Sequence, residues 1–183
     1  LTREIAQNRA KKNEFSAIFG LKFILSILSF LAMFLIGWFT TSNQAIQITI
    51  GVMAVYGIFS SMVEVFFSYL QAKQKLEIEA WAKIVQAIIT TTFGVLLIRL
   101  YSTPQALGVS YLLGAFLIFA GLFVYFFNKI ERFTIKIDKS IWKKYLLLAW
   151  PLAFTGMFAT IYNNIDSVMM GYYGQSTQVG VYS

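Results

Sequence analysis

Apolar residues fall in five long runs, and polar residues gather between them. The runs cover about residues 15–39, 45–70, 80–101, 106–128 and 145–170. Each is long enough to cross ~30 Å of hydrocarbon as a helix rising about 1.5 Å per residue. Each is too long for a buried strand. A helix satisfies its own backbone groups, as lipid demands, whereas a membrane β-barrel needs short alternating segments. The pattern predicts an all-α integral membrane fold, a polytopic bundle with five transmembrane helices.

The connections alternate in charge. Arg3, Arg9, Lys11 and Lys12 precede the first run, Lys73 and Lys75 follow the second, and Lys129, Arg132, Lys136, Lys139, Lys143 and Lys144 lie between the fourth and fifth. The short connections at 40–44 and 102–105 carry no charge, nor does the tail after Met170. Twelve of the 15 basic residues therefore lie on one side, leaving Lys22, Lys83 and Arg99 inside runs. The positive-inside rule then places the N-terminus in the cytoplasm and the C-terminus outside, in a multi-pass protein of the cytoplasmic membrane. One false span would break the alternation, so the charges support all five at once.

Composition sharpens this reading. Of the 183 residues, 58% are apolar, 13% charged and 17% aromatic. Mean hydropathy is +0.67. A soluble domain of this size cannot hide that much apolar surface. The balance excludes a soluble enzyme, a nucleic-acid binder and a disordered segment. The net charge of +7 reads as loop charge facing lipid headgroups rather than as a nucleic-acid footprint. There is no Cys and no His, which removes thiol chemistry, the commonest zinc ligands and the usual near-neutral proton relay. There is no phosphate loop, carboxylate dyad or metal cluster, so neither an enzyme nor a cofactor or metal site is expected. The chain opens on Leu1 without an initiator Met and ends as though entering another element, and it reads as a fragment of a longer protein.

Residues 129–144 form the longest connection. Phe133, Ile135 and Ile137 alternate with polar residues, suggesting a short extended piece, and Asp138 or Ser140 can cap the helix that follows. The stretch reads as a basic linker on anionic lipid or as a joint between two bundles.

Charge inside a span is costly and points to function unless depth excuses it. Lys83 and Arg99 lie near span ends, where snorkelling suffices. Lys22 lies about seven residues and Glu64 about six residues from the basic ends of their spans. Their similar depth would let them pair. A glutamate snorkels poorly, so Glu64 should face a protein or aqueous interior. The fifth run holds Asn163, Asn164 and Asp166, which either line a cavity or sit at the outer interface. Pro151 frees a carbonyl there, for a static bend or a hinge. Gly20, Gly37, Gly51, Gly57, Gly94, Gly108, Gly114, Gly121 and Gly156 permit close helix approach.

Five stretches resemble a known family. Ala149-Trp150-Pro151-Leu152, then Tyr162-Asn163-Asn164-Ile165-Asp166-Ser167-Val168-Met169-Met170-Gly171-Tyr172, then Val179-Gly180-Val181-Tyr182-Ser183 resemble helix seven of polysaccharide flippases and the opening of the next helix. These are the O-antigen-type transporters of the multidrug/oligosaccharidyl-lipid/polysaccharide superfamily. Thr2-Arg3-Glu4-Ile5-Ala6 resembles the approach to helix three, and Tyr69-Leu70-Gln71-Ala72-Lys73-Gln74-Lys75 the turn between helices four and five.

The resemblance implies helices three to seven of a two-lobed transporter of twelve or more. On that reading residues 1–128 belong to the first lobe, 129–144 are the cytoplasmic interlobe linker, and 145–183 start the second lobe. The implied activity is translocation of a polyprenyl-pyrophosphate-linked oligosaccharide for polysaccharide biosynthesis and export. The implied partners are that lipid-linked substrate, membrane lipid and a coupling ion of unknown identity. Lys22, Glu64, Asn163, Asn164 and Asp166 are the cavity candidates, and Pro151 the hinge candidate. A cation-coupled multidrug exporter of the same superfamily and a non-transporting scaffold are the alternatives.

Overall fold

A computed structural model describes residues 12–101, 103–129 and 138–173. The opening motif at residues 2–6, the alternating stretch at 133–137 and the closing motif at 179–183 lie outside the described residues. Five helices are present among those described: α1 (Lys12–Thr40), α2 (Gln44–Ala72), α3 (Leu76–Tyr101), α4 (Pro104–Lys129) and α5 (Lys139–Tyr172). All five are long and apolar enough to cross a membrane, and no strand occurs among the described residues, so the chain is an all-α polytopic membrane bundle.

The helices outrun the apolar runs because local chemistry sets their ends. α2 starts where the Asn43 side chain accepts a hydrogen bond from the Ala45 N–H at 2.9 Å. It ends in a reciprocal cap: the Lys75 N–H donates to the Leu70 carbonyl and the Gln74 N–H to the Gln71 carbonyl. Gln74 occupies the left-handed position of that cap, with φ 56°, where glycine is the usual residue. α3 then begins at Leu76, four residues ahead of its apolar run, with Glu77 and Glu79 in its first turn. Acidic side chains there meet the positive end of the helix dipole. α4 opens on Pro104, where a missing N–H leaves nothing unsatisfied. α5 takes in Lys139, Lys143 and Lys144, so the end of the expected linker is helical.

The contacts divide the described residues into two units, α1–α4 and α5. In the first, α2 packs on α1 and on α4, and α4 packs on α3. α2 and α3 touch only lightly, which leaves a cleft between them. α2 and α4 run parallel, because the single crossing of α3 between them returns the chain to the side where α2 began. Tyr56 meets Tyr111, Phe59 meets Phe116, and Phe66 meets Phe126, with ring centroids 5.9, 5.3 and 4.6 Å apart. The Gln105 side chain ties the start of α4 to the Ala45 carbonyl at the start of α2.

The core sits toward the basic end, where α2 turns into α3. Phe19 of α1, Phe66 and Leu70 of α2, and Ile118, Leu122 and Phe126 of α4 close around one another. Toward the uncharged end small residues do the packing instead. A Cβ on Gly37 would lie 2.9 Å from Ile50, and one on Gly114 would overlap the Thr90 hydroxyl. Lipid gives helices little hydrophobic reason to associate, so close backbone approach supplies the attraction through dispersion. Not every glycine serves this purpose: nothing lies within 4 Å of the Cβ position at Gly51, Gly57, Gly121 or Gly156.

α5 forms the second unit. It continues through Pro151, and its polar side chains bond back to their own helix. Thr155 donates to the Pro151 carbonyl at 3.0 Å, Thr160 to the Gly156 carbonyl at 2.9 Å, and Asn164 to the Thr160 carbonyl at 2.8 Å.

Candidate functional site

Two polar stripes face the α2/α3 cleft. On α2 they are Ser60, Glu64, Ser68 and Gln71, spaced four, four and three residues apart, which puts them on one side of the helix. On α3 they are Glu79, Lys83 and Gln86, spaced four and three. Between them lies a volume of about 360 Å³.

Lys22 of α1 reaches Glu64 of α2, with Nζ 3.7 Å from Oε2. The two residues of similar depth are therefore brought together. The separation exceeds hydrogen-bonding distance, and the side chains remain 44% and 67% exposed. This is a loose ion contact that the other described residues leave uncovered.

Glu79 is the opposite case. Only 6% of it is exposed. Its Oε1 accepts hydrogen bonds from Gln71 Nε2 at 3.0 Å and from Lys83 Nζ at 2.6 Å. Its Oε2 is buried with no hydrogen-bond partner among the described residues. Lys83 also lies 5.3 Å from the centre of the Phe67 ring, so a carboxylate and an aromatic face hold one ammonium. Lys83 thus has specific partners beyond what its closeness to the span end requires.

Sequence reasoning did not single out Glu79, because it precedes the expected start of the third apolar run. The signal was present in the spacing: Glu79, Lys83 and Gln86 continue one helical face into the span. On α2 the same test links Glu64 to Ser60, Ser68 and Gln71.

The other candidates stand on α5. Asn163, Asn164 and Asp166 are exposed within that unit, and the Asn164 amide is occupied by its own helix. Pro151 lies inside the helix, 12 residues after Lys139. Having no N–H, it leaves the Leu147 carbonyl without its helical donor. Arg99 lies in the last turn of α3. Among the described residues there is no group of three or more Asp, Glu, Cys or His that could hold a metal ion.

No curated protein and no solved structure matches this chain. The family model described as "Polysaccharide biosynthesis protein" matches residues 1–183, and with five membrane-crossing helices the chain belongs to that family of multi-pass membrane transporters.

Proposed function

We propose that this chain forms part of a flippase that carries a polyprenyl-pyrophosphate-linked oligosaccharide from the cytoplasmic to the outer leaflet. The observation that carries the reading is the half-exposed Lys22–Glu64 contact inside otherwise apolar spans. A pyrophosphate head group needs a wet, preferably cationic path across hydrocarbon. Lys22 offers a cation held only loosely, able to leave Glu64 for a stronger anion.

On this reading residues 1–128 belong to one lobe, residues 145–183 open the other, and residues 129–144 join them on the cytoplasmic side. The concentration of Lys and Arg at that end supports the orientation, with the N-terminus inside and the C-terminus outside. Rocking of two lobes about a central cavity gives alternating access. Asn163, Asn164 and Asp166 bring polar groups from the second lobe. Pro151 lets its helix bend where the Leu147 carbonyl has lost its donor.

The test uses the full-length protein in proteoliposomes, with a fluorescent polyprenyl-pyrophosphate oligosaccharide and a cationic dye as competing substrates. Lipid-sugar movement without dye movement, reduced about tenfold or more in Lys22→Ala at equal protein level, is the expected result. Unchanged movement in Lys22→Ala removes Lys22 from the role. Dye movement alone supports the second reading, a cation-coupled exporter. That reading draws on Glu64 and buried Glu79, two carboxylates on one cleft.

A further inference from the structure

The polar groups of the α2/α3 cleft do not converge on a point. Gln71 comes 11 positions after Ser60 on α2, which is about 16 Å along a helix axis. Glu79 and Gln86 accompany them on α3. An ion site needs its oxygens gathered at about 2.3–2.6 Å from one centre. Here hydroxyl, amide and carboxylate groups are strung along a trough of about 360 Å³, with the Phe67 ring among them. A chain of sugar rings has the matching character: hydroxyls along its edges and apolar C–H faces between them.

Glu79 gives the trough a preference. Its Oε2 is a buried acceptor with no donor, and an unsatisfied group of that kind destabilises the protein until a donor arrives. What is missing is a hydroxyl or an ammonium. A further carboxylate is disfavoured, because Glu64 and Glu79 both line the trough and the lysines beside them, Lys22 and Lys83, already face those two carboxylates and leave no net positive charge. We propose that the α2/α3 cleft is a glycan subsite for donor-rich sugars, neutral or amine-bearing, and that Glu79 excludes uronic acids from it. The inference rests on the flippase reading above and adds the class of sugar. Lys83 stays on Oε1, which leaves Oε2 as the atom for a sugar donor.

The test is saturation-transfer NMR on the purified full-length protein with three free trisaccharides: maltotriose, the glucosamine trimer and the galacturonic acid trimer. The first two should receive saturation at least about tenfold more strongly than the third, the ratio set by about 1.4 kcal/mol of like-charge repulsion. Glu79→Gln should reduce that ratio to about twofold or less, because the amide keeps an acceptor and loses the charge. A residue that merely supported the fold would not change the ratio. Gln86→Ala should weaken maltotriose binding severalfold with the ratio kept, and this second variant does not touch the Glu79–Lys83 pair. Equal transfer to all three sugars, transfer to none, or an unchanged ratio in Glu79→Gln overturns the subsite. Sugar transfer without lipid-sugar translocation in proteoliposomes sinks the flippase reading and keeps the subsite. Translocation without sugar transfer does the reverse.

Discussion

α2 and α5 are both long apolar helices with one acidic residue each, Glu64 and Asp166, yet they present opposite surfaces. A third of the most apolar window of α2 is buried, and none of that of α5. α2 lies between two neighbours, and Phe66 is 1% exposed against rings from α1 and α4. Among the described residues α5 makes up the second unit, and Trp150, Phe154 and Phe158 stack along their own helix. In water such a difference would show as polar residues on the exposed side. In a bilayer lipid and protein are both apolar neighbours, so apolarity alone does not say which face is covered.

The comparison can be broken most directly by truncating one ring on each helix. Phe66→Ala should cost about 3–5 kcal/mol, because it removes a fully packed side chain and leaves a cavity. Phe154→Ala, at a half-exposed position, should cost under about 1 kcal/mol. Reversible unfolding of the full-length protein in mixed micelles measures both. Similar losses would show that α5 packs as tightly as α2.

A pair of glycines gives the next contrast. Gly114→Val must push the Thr90 hydroxyl aside or separate α3 from α4, at about 1–3 kcal/mol. Gly156→Ala meets open space and should stabilise α5 by about 0.5–1 kcal/mol through helix propensity alone. Thermal midpoints of the two variants should move in opposite directions. Gln74→Gly relieves the left-handed residue between α2 and α3 and should raise stability by up to about 1 kcal/mol. The smallest stability effect belongs to Lys22→Ala. An exposed ion contact at 3.7 Å contributes about 0–1 kcal/mol, so this variant should fold like the parent while transport falls.

Much of the site was visible in outline before the tertiary contacts were known. Similar depth allows Lys22 and Glu64 to pair, since two helices crossing the same slab bring residues of equal depth to one level, but only the packing of α1 on α2 brings them within 3.7 Å. Glu79 was not visible in that way. It lies where an apolar run has not yet begun, and membrane-end glutamates ordinarily face water. Only the turn at 73–75, which brings α3 back beside α2, carries Glu79 to Gln71 and encloses it. The glycines divide likewise: Gly37 and Gly114 mark contacts and Gly51 and Gly57 do not, although nothing in their local sequence separates them.

By itself the sequence determined the number of crossings, the helical class and the alternation of basic and uncharged connections. Those follow from segment length, backbone hydrogen bonding and charge near lipid, all of them local or one-dimensional properties. The tertiary structure alone decided that α2 and α4 pack against each other at the core, that α2 and α3 part to form a polar cleft, and that Glu79 is buried in it. Those depend on which helix faces meet, and helices that are apolar nearly all round leave that choice to side-chain shape.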